Sequence, residues 1–231
     1  MKALLRRMKA RLQALIPAGR RGPYLIASND YGLYCVPRRA LHRPACQAVL
    51  RGHVWEAETL KFLVDHAAGD VVHGGTFFGD FLPALSRAYD RVWAFEPNPD
   101  SFKCAGVTIR LNDLANVELR NSGIGATAAS VSLETERDGV YLGGGSFIID
   151  KPGDVRLEAI DDIVHPDRHV GIIHLDVEGY EAPALAGARK TIARCRPILV
   201  LENLPGQVGG YEVRMRLNDN HILFPLTNSR P

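Results

Sequence analysis

A chain of 231 residues, 46% hydrophobic and 23% charged, suits one α/β domain with a sizeable core and excludes a chain too polar to fold. Its formal net charge of +2 is unevenly placed: seven Lys and Arg and no acid lie between Met1 and Arg21, which leaves 21 basic against 26 acidic residues in the rest. That mildly acidic body argues against nucleic acid as a partner, and no apolar run approaches the roughly 20 residues of a membrane span.

The first elements set the N-terminal segment apart. Leu4, Leu5, Met8, Leu12, Leu15 and Ile16 recur at helical spacing among Lys and Arg, which predicts a basic amphipathic helix over residues 1–16, ended by Pro17 and Gly19. Charges interrupt it throughout, so it is not a secretory signal. Such a helix packs on its own domain, on a second subunit or partner protein, or on a membrane surface. The first two are the plainer expectation, because any docked helix is amphipathic. Residues 22–231 are expected to form the single folded domain. The four cysteines, Cys35, Cys46, Cys104 and Cys195, have neither CxxC spacing nor a histidine cluster beside them. They are read as reduced structural thiols of a cytoplasmic protein.

Tyr24 to Pro37 reads as an extended hairpin turning at Asn29-Asp30-Tyr31-Gly32, and Trp55 to His66 as a helix with Leu60, Leu63 and Val64 inward. A regular alternation then begins. Val71-Val72-His73 is a short strand, Gly74 to Gly79 a loop, Asp80 to Tyr89 a helix, and Val92 to Glu96 a second strand. Asn98-Pro99 supplies a cap and first residue for a helix ending near Asn112. Val117 to Asn121, Ile172 to Val177 and Ile198 to Glu202 complete five strands, the last two joined by a helix from Tyr180 to Ala193. Strands alternating with helices predict a doubly wound, Rossmann-like, mostly parallel sheet. An insertion from Gly123 to Val170 carries strands at Val131–Glu134 and Val155–Ala159 around Gly143-Gly144-Gly145. After Glu202, Tyr211 to Leu217 and His221 to Leu226 predict an antiparallel hairpin.

A ligand of such a sheet binds beyond the strand ends, so the first loop is the place to look. It reads His73-Gly74-Gly75-Thr76-Phe77-Phe78-Gly79, and Glu96 closes the second strand about 20 residues on, where a carboxylate can take both hydroxyls of a ribose. Gly75 and Gly79 stand four apart with bulky Phe77 and Phe78 between them. That loop is ill suited to a pyrophosphate, and no GK[ST] is present for a triphosphate. An adenosine cofactor without phosphates, S-adenosyl-L-methionine, fits better.

Three segments carry a family likeness: Val71 to Phe81; Val92-Trp93-Ala94-Phe95-Glu96-Pro97-Asn98-Pro99; and His174-Leu175-Asp176-Val177-Glu178-Gly179-Tyr180-Glu181, continued through Gly187-Ala188 and Arg196-Pro197 to Glu202-Asn203. Over roughly Val71 to Asn203 the chain resembles the FkbM-type family of class I methyltransferases, which act on hydroxyls of sugars, lipids and polyketides. The resemblance implies cofactor contacts from His73, Gly75, Thr76, Gly79, Glu96, Asn98, Asn121, Ser122 and Asp176, with Glu96 on the ribose and Asn121 to Gly123 beside the adenine. The chain departs from the family where Asp is usual at His73, Asn at Phe77 and Lys at His174.

Methylating a hydroxyl requires aligning the acceptor oxygen and removing its proton. Ile172, His174 and Asp176 share one strand face, with Asp176 nearest the tip. Asp176 is therefore the candidate base, with His174 and Glu178 as further catalytic candidates. Asp176, Glu178 and Glu202 also suit a divalent metal, although none is expected. Glu178 also reads as a helix-start acid, His174 as a satisfied core histidine, Glu181 as a solvated first-turn acid, and Phe77 and Phe78 as loop anchors. The expectation is an O-methyltransferase of a sugar or other small molecule, as a monomer or homo-oligomer. The alternative is a cofactor-binding module without turnover that docks on a partner protein.

Overall fold

The computed structural model describes residues 22–226; the helix predicted over residues 1–16 lies outside them. β1 (Tyr24–Ser28) and β2 (Leu33–Pro37) pair as an antiparallel hairpin. Asn29 makes its turn: the side-chain oxygen accepts from the N–H groups of Tyr31 (2.8 Å) and Gly32 (3.2 Å). Two helices follow, α1 (Pro44–Leu50) and α2 (Ala57–Asp65). The alternation then runs β3 (Asp70–Gly74), α3 (Leu82–Ala88), β4 (Val92–Phe95), α4 (Pro99–Leu111) and β5 (Val117–Arg120). Asn98 caps α4 by accepting from the N–H groups of Asp100 and Ser101, and Pro99 sits where its missing N–H costs nothing.

The insertion holds β6 (Gly123–Ile124), β7 (Ala129–Glu134), β8 (Glu136–Arg137), β9 (Val140–Tyr141), β10 (Phe147–Ile149), β11 (Val155–Glu158) and the single turn α5 (Ile160–Ile163). The chain then returns through β12 (Val170–Leu175), α6 (Glu181–Ala186), α7 (Arg189–Cys195) and β13 (Ile198–Leu201), and ends in β14 (Tyr211–Leu217) and β15 (Asn220–Pro225). The main sheet has seven strands in the order β14-β15-β13-β12-β3-β4-β5. Strands β13, β12, β3, β4 and β5 run parallel; β15 is antiparallel to both β13 and β14. This is a mixed α/β sheet. Its central strands are buried on both faces, as parallel strands are. Val71, Ile172 and Val200 pack with Leu60, Leu82 and Leu85 on one face; Val72, Ile173 and Leu199 pack with Ile160, Ala184 and Leu185 on the other. Among the described residues no helix is long and apolar enough to cross a membrane.

Besides α1, which the sequence reading does not contain, the structure departs from it in three places. The helix expected from Tyr180 to Ala193 is two helices. The Gly187 carbonyl leaves the helical ladder to accept from the Asp161 N–H (2.8 Å). The Asp161 carboxylate then accepts from the N–H groups of Lys190 and Thr191 (2.8 Å each), so a residue of the insertion caps α7. A Cβ on Gly187 would lie 2.0 Å from the Gly125 carbonyl oxygen, so only glycine lets the two segments meet. Second, Glu181 is buried rather than solvated, at 1% exposure, with Asn203 Nδ2 donating to it at 3.4 Å. Third, the insertion builds a second sheet of four strands, β10-β7-β11-β6, where two strands are expected.

Candidate active site

The loops that follow β3 and β12 start side by side. These strands pair in parallel with His73 opposite His174 and Gly74 opposite Leu175. Next in the chain, Gly75 has φ 81°, and a Cβ there would lie 1.8 Å from the Asp176 carbonyl oxygen. The loop can close onto the fourth-strand segment only because residue 75 has no side chain. Phe77 also takes a left-handed φ, 51°, which is costly for a bulky residue. Its N–H donates to Glu96 Oε2 at 2.6 Å, and its ring lies over Gly143 and Gly144 of the insertion. Phe78 is fully buried, so both rings anchor the loop.

Glu96 stands at the end of β4 and is 4% exposed. Oε2 accepts from Phe77 N–H, and Oε1 accepts from Asn98 N–H at 2.8 Å. No cation pairs with it among the described residues. Burial therefore raises its pKa to about 8 despite the two backbone donors. Beside it is a narrow slot of about 20 Å³, walled by Phe95, Pro97, Ser122, Ile124, Ile148 and Val177. The insertion roofs this slot with Gly144, Ser146 and Ile148. Asn98 holds the roof: its Nδ2 donates to Ser146 Oγ (3.0 Å), and its Oδ1 accepts from the Tyr141 hydroxyl (3.2 Å).

The slot shares Gly75, Gly144 and Asp176 with a larger cavity of about 260 Å³. The floor of that cavity is a histidine pair. His73 Nδ1 and His174 Nδ1 are 2.8 Å apart, and the rings lie within 8° of parallel. Phe81 stacks on both. A bond between two imidazoles needs one Nδ1 to donate and the other to accept. Burial lowers both proton affinities, that of His174 to about 4, and His73 is lowered further by its partner. Both rings are neutral at physiological pH.

Above them, oxygens of Asp176, Glu178 and Glu202 lie within 4.8 Å of one another. Burial first, and the adjacent Glu202 charge second, hold Asp176 well above the ordinary carboxylate range; Glu178 is raised for the same two reasons. The all-oxygen set matches the chemistry of a hard divalent cation. It also suits a proton acceptor of raised affinity.

The structure thus brings His73, Gly75, His174, Asp176 and Glu178 to one cavity, and Glu96 and Ser122 to the joined slot. Thr76, Gly79, Asn98 and Asn121 do not line either. Thr76 Oγ1 donates to the His73 carbonyl (3.3 Å), Gly79 turns against Leu82 and Ala105, and Asn121 Nδ2 donates to the Glu96 carbonyl (2.9 Å). Ser122 Oγ donates to Glu158 (2.6 Å), which Arg120 and Ser122 hold at a pKa of about 2. Four charged lining residues carry no functional signal in the sequence: Arg43, Glu56, Asp80 and Asp219. Asp80 was legible only as a helix start after Gly79, and the others come from segments distant in the chain.

The chain is a mixed α/β protein with a glycine loop after its first parallel strand and an acid ending the next. The chain belongs to the family described as the methyltransferase FkbM domain, whose sequence profile matches residues 73–221. Among solved structures it is similar to the methyltransferase FkbM from Methylobacillus flagellatus KT, at 19% identity and a TM-score of 0.47. That match covers 67% of this chain and 43% of the other, so the chain spans less than half of that protein. A methyltransferase from Geobacter sulfurreducens matches at 16% identity over 96% of this chain and 97% of its own, with a TM-score of 0.48. An rRNA methylase from Streptococcus thermophilus matches at 13% identity over 74% and 95%, with a TM-score of 0.46. No curated protein matches the chain.

Proposed function

We propose that the protein binds S-adenosyl-L-methionine and transfers its methyl group to a hydroxyl of a sugar or other small molecule. The observation that carries this reading is the junction at Gly75 and Asp176, where the slot beside Glu96 opens into the acid-lined cavity. The donor set fits an adenosyl group. A buried carboxyl with free lone pairs suits a ribose diol, and Phe95, Ile124, Ile148 and Val177 offer apolar faces to a purine, which enters only when the roof of Gly144, Ser146 and Ile148 lifts, because the slot as it stands has room for about one water. Glu96 would hold the ribose, and the loop from Gly75 to Phe77 would lie along the rest. When bound, the sulfonium supplies an electrophilic methyl carbon.

The residues of the chain do the remaining work. Asp176, at the junction, takes the proton of the acceptor hydroxyl. Its raised proton affinity, fixed by burial and by Glu202, suits that task. The neutral His73–His174 stack keeps the floor beneath it uncharged. Six carboxylates line the cavity (Glu56, Asp80, Asp176, Glu178, Glu202, Asp219) against the single cation Arg43. That lining opposes a polyanionic acceptor and favours a small neutral or cationic one.

The test is turnover with labelled cofactor and a panel of hydroxyl acceptors. Asp176→Asn is expected to hold the cofactor as the wild type does and to transfer the methyl group about 10²–10⁴-fold more slowly. Wild-type turnover is expected to persist in EDTA. Full activity of the variant would remove Asp176 from the mechanism. Loss in EDTA that magnesium restores would assign the three carboxylates to a metal instead.

A further inference from the structure

The rim of the larger cavity carries an aromatic ring that the proposed transfer does not use. Trp55 lines the cavity and is 47% exposed. Elsewhere the rings of Trp93, Tyr141, Phe147 and Phe224 each have an arginine over one face. Among the described residues neither an arginine nor a second ring lies against Trp55, and its indole N–H makes no hydrogen bond. A single exposed apolar residue is ordinary. This one differs because it stands on a wall built from two distant segments.

Trp55 and Glu56 precede α2, and Asp219 sits in the β14–β15 turn. Asn220 Nδ2, 164 residues from Glu56 in the chain, donates to Glu56 Oε2 at 2.7 Å. In the first turns of α2, the Thr59 N–H and hydroxyl donate to Asn218 Oδ1 at 3.3 and 2.9 Å. Glu56 has φ 50°, a left-handed backbone that is costly for a residue with a side chain. The turn that sets Trp55 and Glu56 on the cavity is thus held against a backbone cost by the hairpin opposite.

The wall is acidic. Glu56, Asp80 and Asp219 line the same cavity as Trp55. Asp80 is 8% exposed and has no side-chain hydrogen bond or ion pair among the described residues. Burial first, and after it the Asp219 and Glu202 charges, raise the Glu56 pKa against the Asn220 bond. Arg43 brings the lining's one positive charge, and its guanidinium faces Gly145 of the insertion. An uncovered indole beside carboxylates attracts an organic cation: the negative face of the ring and the acids act in the same direction.

Resting on the reading of the cavity as the acceptor site, we infer that Trp55 and Glu56 hold a cationic group of the acceptor, an ammonium under the indole face and beside the carboxylate. The acceptor is then a hydroxyl compound that carries an amine, an amino alcohol or amino sugar. Its cation stays at the rim while its hydroxyl points to Asp176 at the junction with the slot, since Trp55, Glu56 and Asp176 line one cavity. Trp55 and Glu56 would thereby set specificity without touching the reacting atoms.

Two probes of one shape test this: choline and its neutral carbon isostere, 3,3-dimethylbutan-1-ol, each titrated by calorimetry in the presence of S-adenosylhomocysteine. Choline is expected to bind at least about tenfold more tightly than the isostere. Trp55→Leu, which keeps an apolar side chain, and Glu56→Gln are each expected to weaken choline about fivefold or more and to leave the isostere within about twofold. Equal affinity for the two probes, or a choline affinity that neither variant lowers, would overturn the site. A Trp55→Leu variant that melts lower but binds choline unchanged would overturn it too, by assigning the ring to packing. Should Glu56→Gln fail to fold, Trp55→Leu decides. Titration of S-adenosylhomocysteine alone separates the two readings. Wild type that binds it without preferring choline loses the cation site only. Wild type that prefers choline through Trp55 but binds no S-adenosylhomocysteine keeps the cation site and overturns the methyl-transfer reading.

Discussion

Asp80 makes the stability of the ligand-free protein depend on pH. A buried carboxyl whose folded pKa is raised from 3.8 to about 7 holds its proton more tightly in the folded state than in the unfolded one. Folding stability then falls as pH rises between those two values and levels off above the higher. Asp80→Asn removes that dependence. The melting temperature of the ligand-free variant is expected to exceed that of wild type by a margin that widens from pH 4 to about pH 7 and is then constant. Glu96 and Asp176 also have raised pKa values but are present in both proteins, so their contributions cancel. A margin that does not change with pH would mean that Asp80 ionises as readily in the folded state as in the unfolded one. Legibility at this scale was uneven. Glu96 could be found because its spacing from the glycine loop is a local fact of sequence. Glu181 was misread because burial of a helix-start acid depends on Asn203, two elements away.

At the scale of elements, the loop after β3 depends on one contact. Gly75 combines φ 81° with a backbone oxygen 1.8 Å from where a Cβ would stand. Gly75→Ala must strain residue 75 and push the loop away from Asp176, at a cost of at least about 1–2 kcal/mol from the left-handed backbone alone. The displaced loop would also pull the Phe77 N–H from Glu96. The variant is expected to show a lowered melting temperature and little binding of adenosyl ligand. Unchanged values for both would mean that the loop can close with a side chain in place. The strands and the Asn98 cap were legible because periodicity and capping are local signals. The break between α6 and α7 was not, because it is made by Asp161 and Gly125 of the insertion. The insertion sheet was equally hidden. Its two- and three-residue strands, β6 and β10, are too short to show a period, and they exist only as partners of β11 and β7.

For the molecule as a whole, the seven-stranded sheet divides the work along its C-terminal edge. The β4 end and the insertion roof enclose the slot at Glu96, while the β3, β12 and β13 ends carry the histidine floor and the carboxylates. That five of these strands run parallel followed from the alternation of strands and helices in the sequence; their order did not. The second wall of the cavity did not, because Arg43, Glu56 and Asp219 reach it from α1, the segment before α2 and the β14–β15 turn, far apart in the chain. Every role proposed for these residues requires an adenosyl ligand in the slot with its ribose on Glu96. Calorimetric titration with S-adenosylhomocysteine and with NAD, on wild type and Glu96→Ala, tests this most directly. The predicted result is binding of S-adenosylhomocysteine and not of NAD, weakened in the variant by on the order of 1–3 kcal/mol because the ribose hydroxyls lose their partner in a buried slot. Binding of NAD with no response to the adenosyl ligand, or an affinity for S-adenosylhomocysteine that Glu96→Ala leaves unchanged, would contradict it.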